Sequence, residues 1–313
     1  MVPADKIRLT EERAHLLYRR LQCCDLCPRN CMVNRLKGET GYCGIDRDAV
    51  VYTAFLHSGE EPPISGPRGS GTIFFSGCNL KCIYCQNHKF SHLITGRKVK
   101  EEELAKIMLA LQDKGAENIN FVTPSHVLPQ ILKSLAVAFR NGLGIPLVYN
   151  TSGYEKKDIL AQLRGVIDIY LSDMKYITLK TAQNYSKAPD YPIFAQESTI
   201  HMYDQQKTAI WANNLLKRGL IIRHLALPGH LEESKKVLAW IKANTPEALV
   251  SIMFQYRPYF KATSRPEINR PINRSEYSQI RNFVEELDLE GWLQEFNPSQ
   301  DLAGIHFLPH IEF

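Results

Sequence analysis

The stretch Thr72-Ile-Phe-Phe-Ser76-Gly77-Cys78-Asn79-Leu80-Lys81-Cys82-Ile83-Tyr84-Cys85-Gln86-Asn87 decides how the chain is read. It opens on a short β-branched and aromatic run, the composition of a buried strand. Three cysteines follow at once, spaced Cys-x3-Cys-x2-Cys. Three close thiolates can each hold one iron of a cubane cluster and leave the fourth iron without a protein ligand. A small molecule can then coordinate at that open corner. The same residues admit a second reading, a zinc site made of Cys78, Cys82, Cys85 and either His88 or His92.

Outward from this loop, short apolar runs at 72–76, 118–122, 146–150, 167–171, 220–226 and 249–254 alternate with helical patterns. Helices are expected at 101–114, 128–141, 156–164, 201–218, 232–243 and 275–287, the first placing Leu104, Ile107, Met108 and Leu111 on one face. Strands alternating with helices predict an α/β chain with a parallel sheet, and right-handed crossovers make that sheet either open and doubly wound or a barrel. Both put functional residues at the carboxyl ends of the strands, which is where the cysteine loop lies. Pro62, Pro63, Gly66, Pro67, Gly69 and Gly71 read as a linker. It divides residues 1–66, with a helix at 10–21 and a cysteine-rich stretch, from a second domain at 67–313. No repeat or low-complexity tract is visible.

The chain has 313 residues, 44% of them hydrophobic, and a formal charge of +5. That is enough apolar material for a sizeable core, and the charge tolerates an acidic partner without calling for nucleic acid. No apolar run approaches the roughly 20 residues of a membrane span. The opening Met-Val-Pro-Ala-Asp-Lys lacks a signal-peptide run, so a cytoplasmic location is expected. All eight cysteines fall between Cys23 and Cys85. A disulfide framework belongs to small secreted domains, so clustered thiols here point to metal. Cys24, Cys27, Cys31 and Cys43 suit a closed four-ligand site, and their spacing does not choose between zinc and a second [4Fe–4S] cluster. Cys23 is left over. Such a site would staple the N-terminal arm; an electron relay is the alternative. Arg29, Arg35 and Lys37 could dock an electron donor. Arg265, Arg270, Arg274 and Arg281, with Tyr256, Tyr259 and Phe260, would suit a nucleic-acid-binding module, against which the modest net charge argues.

The cysteine loop at the end of the first of six βα units resembles the radical S-adenosylmethionine (SAM) superfamily. That resemblance implies a partial parallel (β/α)6 TIM-like barrel preceded by a small cysteine-rich metal-binding module. It also implies a [4Fe–4S] cluster whose open iron is chelated by SAM, reductive cleavage of SAM, and a 5′-deoxyadenosyl radical that takes hydrogen from a substrate. Cys82-Ile-Tyr-Cys85-Gln-Asn87 is similar to the Cys-x-Tyr-Cys-x-Asn of pyruvate formate-lyase activating enzymes, which places Tyr84 near the adenine and Asn87 on SAM. Ser172-Asp-Met-Lys175 resembles their Asp-Leu-Lys, giving Asp173 a polar or cation site and Lys175 the SAM carboxylate. Asn150-Thr-Ser-Gly153 resembles their Asp-Thr-Asn-Gly, with Asn150 in place of the acid, which weakens a cation site. The cysteine spacing at 24–31 resembles homologues of those enzymes. The chain departs from the superfamily after the second strand, where Gly-Gly-Glu is usual and Phe121-Val-Thr-Pro-Ser-His126 stands here. Thr123 or its backbone is the expected substitute; the other reading is a turn whose hydroxyl caps the next helix. His224 is assigned to SAM, and Tyr256 and Arg257 to substrate. Implied partners are a low-potential electron donor such as flavodoxin or ferredoxin and a glycyl radical enzyme, with a small molecule or peptide as the alternative substrate.

Overall fold

The computed structural model describes residues 3–297, so residues 298–313 of the expected second domain lie outside the described residues. The chain runs α1 (Ala4–Arg19), β1 (Ala49–His57), α2 (Pro62–Ser65), β2 (Ser70–Phe75), α3 (His88–Ser91), β3 (Arg97–Val99), α4 (Glu101–Asp113), β4 (Ile119–Val122), α5 (Leu128–Arg140) and β5 (Leu147–Thr151). It continues through α6 (Lys157–Leu160), β6 (Ile169–Asp173), α7 (Leu179–Ser186), α8 (Tyr191–Gln205), β7 (Ile210–Ala212), β8 (Leu215–Leu225), α9 (Leu231–Asn244), β9 (Leu249–Met253), α10 (Arg274–Glu286) and β10 (Gly291–Leu293).

The six expected strands are β2, β4, β5, β6, β8 and β9, and they pair in parallel in chain order. Every residue of β2, β4 and β5 is buried, which explains why their sequences are continuous apolar runs rather than alternating ones. Because the order never reverses, all the carboxyl ends open on one rim. α4 and α5 pack side by side, and α1 lies against α5 with Ala14 and Leu17 sealed beneath it.

Three expectations need correction. The helix expected at 201–218 ends at Gln205, and the remainder forms an antiparallel β7–β8 hairpin. The turn residues Asn213 and Asn214 have φ of 53° and 60°, the left-handed pair that Asn tolerates and that two-residue hairpins require. Three further strands, β1, β3 and β10, also lie outside the sequence reading. β1 pairs antiparallel with both β2 and β3, so the sheet runs across the expected boundary at residue 66. Finally, the linker at 62–71 is buried structure. α2 turns Ile64 into a core formed by Val148, Ile169, Leu171, Leu216, Ile221 and Leu249. The Ile64 carbonyl accepts from Asn118 Nδ2 at 2.7 Å. Proline at the start of α2 costs no hydrogen bond, since the first N–H groups of a helix have no partner in it.

This wedge contributes by burial alone. Ile64→Ala is expected to cost about 2–5 kcal/mol, read as a lower denaturation midpoint at unchanged slope.

Candidate active site

The cysteine loop is held at its base by backbone bonds. Ser76 N–H reaches Val50 O and Gly77 N–H reaches Phe90 O, each at 2.8 Å. Gly77 has φ of 83°, and a Cβ there would stand 2.7 Å from the Cys43 carbonyl oxygen. Only glycine lets the N-terminal segment approach this closely. Cys78 Sγ accepts the N–H groups of Leu80 and Lys81 at 3.3 and 3.5 Å. Cys82 Sγ accepts from Ser186 Oγ at 3.1 Å, and Cys85 Sγ lies 3.2 Å from Ser91 Oγ. Burial pushes the Cys78 thiol up and the Cys85 thiol up to about 12. A metal binding here would have to displace protons from these sulfurs.

All eight cysteines are free thiols, and among the described residues no three metal-binding side chains are drawn together at coordination distance. The donor set nonetheless suits the cluster. Three sulfurs face one cavity, and each has an N–H or O–H beside it of the kind that supports thiolate charge. The histidines of the zinc reading stand outside this cavity: His88 stacks on Phe260 with centroids 5.1 Å apart, and His92 packs edge-on to the same ring at 4.5 Å.

The cavity opens at the carboxyl rim. Besides the three sulfurs it is lined by Tyr84, Asn87, Thr123, Asn150, Asp173, Lys175, Tyr256 and Arg257, so all but one of the side chains assigned to cofactor or substrate meet there. Asn87 carries a buried Oδ1 with no hydrogen-bond partner, an acceptor that a ligand amine or hydroxyl can satisfy. Tyr84 sits in an aromatic box with Tyr176, Tyr185 and Tyr256, at centroid distances of 5.8–6.4 Å. Thr123 follows β4 with φ of 60°, an outlying conformation for a β-branched residue, and its N–H is tied to Asn150 O at 2.9 Å. Of the polar residues after that strand, Ser125 donates to buried Glu155 and His126 bonds Ser76 O at 2.8 Å. Only Thr123 faces the cavity.

The exception is His224. It lies on the far face of β8, with Nδ1 2.7 Å from Met174 O and Nε2 2.9 Å from Ser234 Oγ. Strand alternation gives the cavity its neighbour Arg223 instead. Tyr256 presents only its ring, because its hydroxyl donates to Ile268 O at 2.8 Å.

Arg223 joins residues that the sequence did not connect. Its Nε donates to Asp173 Oδ1 at 2.8 Å, its second terminal nitrogen to Asn150 Oδ1 at 2.6 Å, and its first lies 3.5 Å from Glu60 Oε2. Asp173 Oδ2 accepts from Lys175 Nζ at 2.5 Å. Burial alone would raise the Asp173 carboxyl, but Arg223 and Lys175 outweigh it and hold it below its usual range. Glu60 and Glu61 lie below the rim in the segment between β1 and α2, and burial pushes both carboxyls up. Their signal in the sequence was an acidic pair preceding two prolines, which reads equally well as a solvated turn.

Cys24, Cys27, Cys31 and Cys43 surround a second, small cavity beside Arg35 and His126. Tyr42 N–H reaches Cys31 Sγ at 3.3 Å, and the Arg35 guanidinium stands 3.7 Å from Cys24 Sγ. Arg35 is 1% exposed and bonds Asp46 O and His126 O, so it is no docking surface. Arg29 is likewise consumed internally, donating to the carbonyls of Asn79, Leu80, Ser186 and Lys187 and covering the Tyr42 ring at 3.9 Å. Of the C-terminal arginines, Arg270 and Arg281 pair with Glu276 and Glu285. Among the described residues no helix is long and apolar enough to cross a membrane.

A parallel α/β sheet with a Cys-x3-Cys-x2-Cys loop at the end of its first parallel strand defines a class, and the comparison with known families agrees. The radical SAM superfamily matches residues 72–241, more than half of the chain, and the chain belongs to that superfamily. Membership makes it an enzyme and implies a [4Fe–4S] cluster and SAM. Among curated proteins it is 33% identical over 277 residues to MJ0674 of Methanocaldococcus jannaschii, described only as uncharacterized, covering 85% of this chain and 75% of that one. It is 27% identical over 118 residues to the pyruvate formate-lyase-activating enzyme of Clostridium pasteurianum, covering 36% of this chain and 49% of the enzyme.

Two outcomes follow. Thr123→Val should raise the SAM concentration for half-saturation severalfold, and unchanged binding would remove Thr123 from the site. Cys24→Ala is expected to lower zinc with iron unchanged if its cysteine group holds zinc, and to lower iron if that group holds a second cluster; a variant with both metals unchanged would remove Cys24 from any metal site.

Proposed function

We propose that the chain reductively cleaves SAM at a [4Fe–4S] cluster held by Cys78, Cys82 and Cys85, and directs the resulting 5′-deoxyadenosyl radical to hydrogen abstraction from a substrate. The observation that carries this is the convergence of those three sulfurs, the orphaned Asn87 Oδ1 and the Lys175 ammonium on one rim cavity. The cluster supplies the electron, and the protein's part is to orient SAM and exclude water. Tyr84 offers an aromatic face to the adenine. Lys175 offers donors to the SAM carboxylate, and Asn87 an acceptor and donor to its polar groups. Thr123, with its backbone held open at the end of β4, takes the place of the carboxylate that the superfamily usually carries there. The strand order fits a partial (β/α)6 barrel for residues 67–313. Residues 24–43 fit a four-cysteine module for zinc or a second cluster, whose role is to fasten the N-terminal arm across the cysteine loop. An electron donor of the flavodoxin or ferredoxin type and a reducing, cytoplasmic setting complete the reading.

The similarity to an activating enzyme makes a glycine of a glycyl radical enzyme the first substrate to test. A small molecule or a peptide is the second, and one observation favours it. The segment after β9 folds back over the cysteine loop, with Lys261 N–H on Ile83 O at 3.0 Å and Phe260 packed on His88 and His92. The same segment puts Tyr256, Arg257 and Tyr259 in the wall of the cavity.

Anaerobically reconstituted protein given a strong reductant and SAM should form 5′-deoxyadenosine. Cys82→Ala should form none. Adding the true substrate should raise the yield, and a glycyl radical partner would gain a protein-centred radical signal in spin resonance. Wild-type protein with an intact cluster that leaves SAM uncleaved would end the proposal.

A further inference from the structure

Among the described residues, a cluster of buried charges lies at the rim, and its central member, Arg223, has no task in the reading so far. Arg223, Asp173, Lys175, Glu60 and Glu61 lie in one connected cluster, and each side chain is 17% exposed or less. Three separate directions of the Arg223 fork are used: Nε toward Asp173, one terminal nitrogen toward Asn150, the other toward Glu60. Lysine, a point charge on a flexible stem, cannot satisfy three divergent acceptors in this way. Glu60 also accepts from Asn120 Nδ2 at 3.0 Å and Asn150 Nδ2 at 3.4 Å, so one carboxylate spans β4, β5 and β8. It reaches them from the segment that α2 pins under the sheet through Ile64. A buried charge cluster of this kind is weak evidence for stability, because desolvation offsets most of the attraction. Its geometry has a different consequence.

We propose that Arg223 is a positioning residue for SAM: a cation built into the fold that fixes Asp173 and thereby sets where the Lys175 ammonium stands in the cavity. The inference rests on the reading of this cavity as the SAM site. Arg223 occupies Asp173 Oδ1, so Lys175 is left only Oδ2. An ammonium has three donors, and Lys175 spends one of them there, which leaves two to meet an incoming carboxylate. Without the guanidinium, both Asp173 oxygens turn to Lys175, and the Asp173 charge, no longer balanced, repels the carboxylate end of an incoming SAM. The segment carrying Glu60 and Glu61 holds Arg223 from below, so the floor of the sheet helps set the position of a side chain at its rim.

The test is a SAM titration of the anaerobically reconstituted protein, followed by the change SAM makes in the spin-resonance signal of the reduced cluster. Arg223→Met should raise the SAM concentration giving half of the change by about tenfold or more, as expected when charged hydrogen bonds are lost. Arg223→Lys, which keeps the charge but not the fork, should fall between the two. Iron content should match wild type in both, because neither substitution touches a sulfur. Where Arg223→Met leaves Glu60 buried without a counter-charge and the protein fails to fold, the E60Q/R223M double variant removes both charges and carries the same expectation. A folded variant lacking Arg223 that responds at the wild-type SAM concentration overturns the inference. A wild-type signal that ignores SAM sinks the reading of the site itself, and the two failures are told apart by that control.

Discussion

Parallel pairing in chain order is the constraint from which the site follows. Each of β2, β4, β5, β6, β8 and β9 is followed by a return crossover, and none of these strands reverses the order. Their carboxyl ends therefore share one rim, and residues far apart in sequence meet there without any contact having to be specified pair by pair. Cys78 to Asn87 follow β2, Thr123 follows β4, Asn150 lies one residue before the end of β5, Asp173 ends β6 and Arg223 lies near the end of β8. The period-2 alternation of each strand decides which of two neighbours faces in, and that choice separates Arg223 from His224.

Filling such a rim with charge creates an energetic problem that the fold addresses from below. Cations and carboxylates this deeply buried lose hydration worth several kcal/mol per ion, and removing one partner of such a pair typically costs about 3–5 kcal/mol. The response here is a second layer. Asn120 and Asn150 satisfy Glu60, Asn150 passes its own oxygen to Arg223, and Asp173 is shared between two cations. Burial raises the carboxyls of Glu60 and Glu61, although the neighbouring guanidinium opposes the shift. Asp173, in contact with both Arg223 and Lys175, keeps its charge more firmly than an exposed aspartate. The cluster thus separates two carboxyls raised by burial from one held low by its cations, and the latter lines the cavity.

The parts of this arrangement that were legible in the sequence are those encoded locally. A buried parallel strand is a continuous apolar run, and a cysteine triplet announces its chemistry by spacing, so the six strands, the loop and most rim residues could be read from short windows. What escaped depended on contacts across the fold. Glu60 and Glu61 look like a solvated turn until α2 is seen to be buried. His224 and Arg223 are adjacent, and composition alone does not tell which faces in. The hairpin at Asn213 and Asn214 was hidden because the residues before it continue a helical pattern from α8, while the signal that breaks it is the left-handed tolerance of two asparagines rather than a glycine or proline.

The N-terminal segment joins the main core through Leu17, Leu21, Leu26 and Ile45 and reaches the cysteine loop through polar contacts. Arg29 ties its four donated hydrogen bonds to carbonyls on the cysteine loop and at the end of α7, while the Cys43 carbonyl rests against Gly77. The loop that carries three buried sulfurs is thus clamped on its outer side by a guanidinium and an aromatic ring, and on its inner side by the hydroxyls of Ser186 and Ser91. These hydrogen bonds fix the loop backbone and the sulfurs in place, as supporting partners around a metal site do. The segment's contacts with the loop act through backbone carbonyls, so they hold the loop independently of anything bound at the segment's own cysteines.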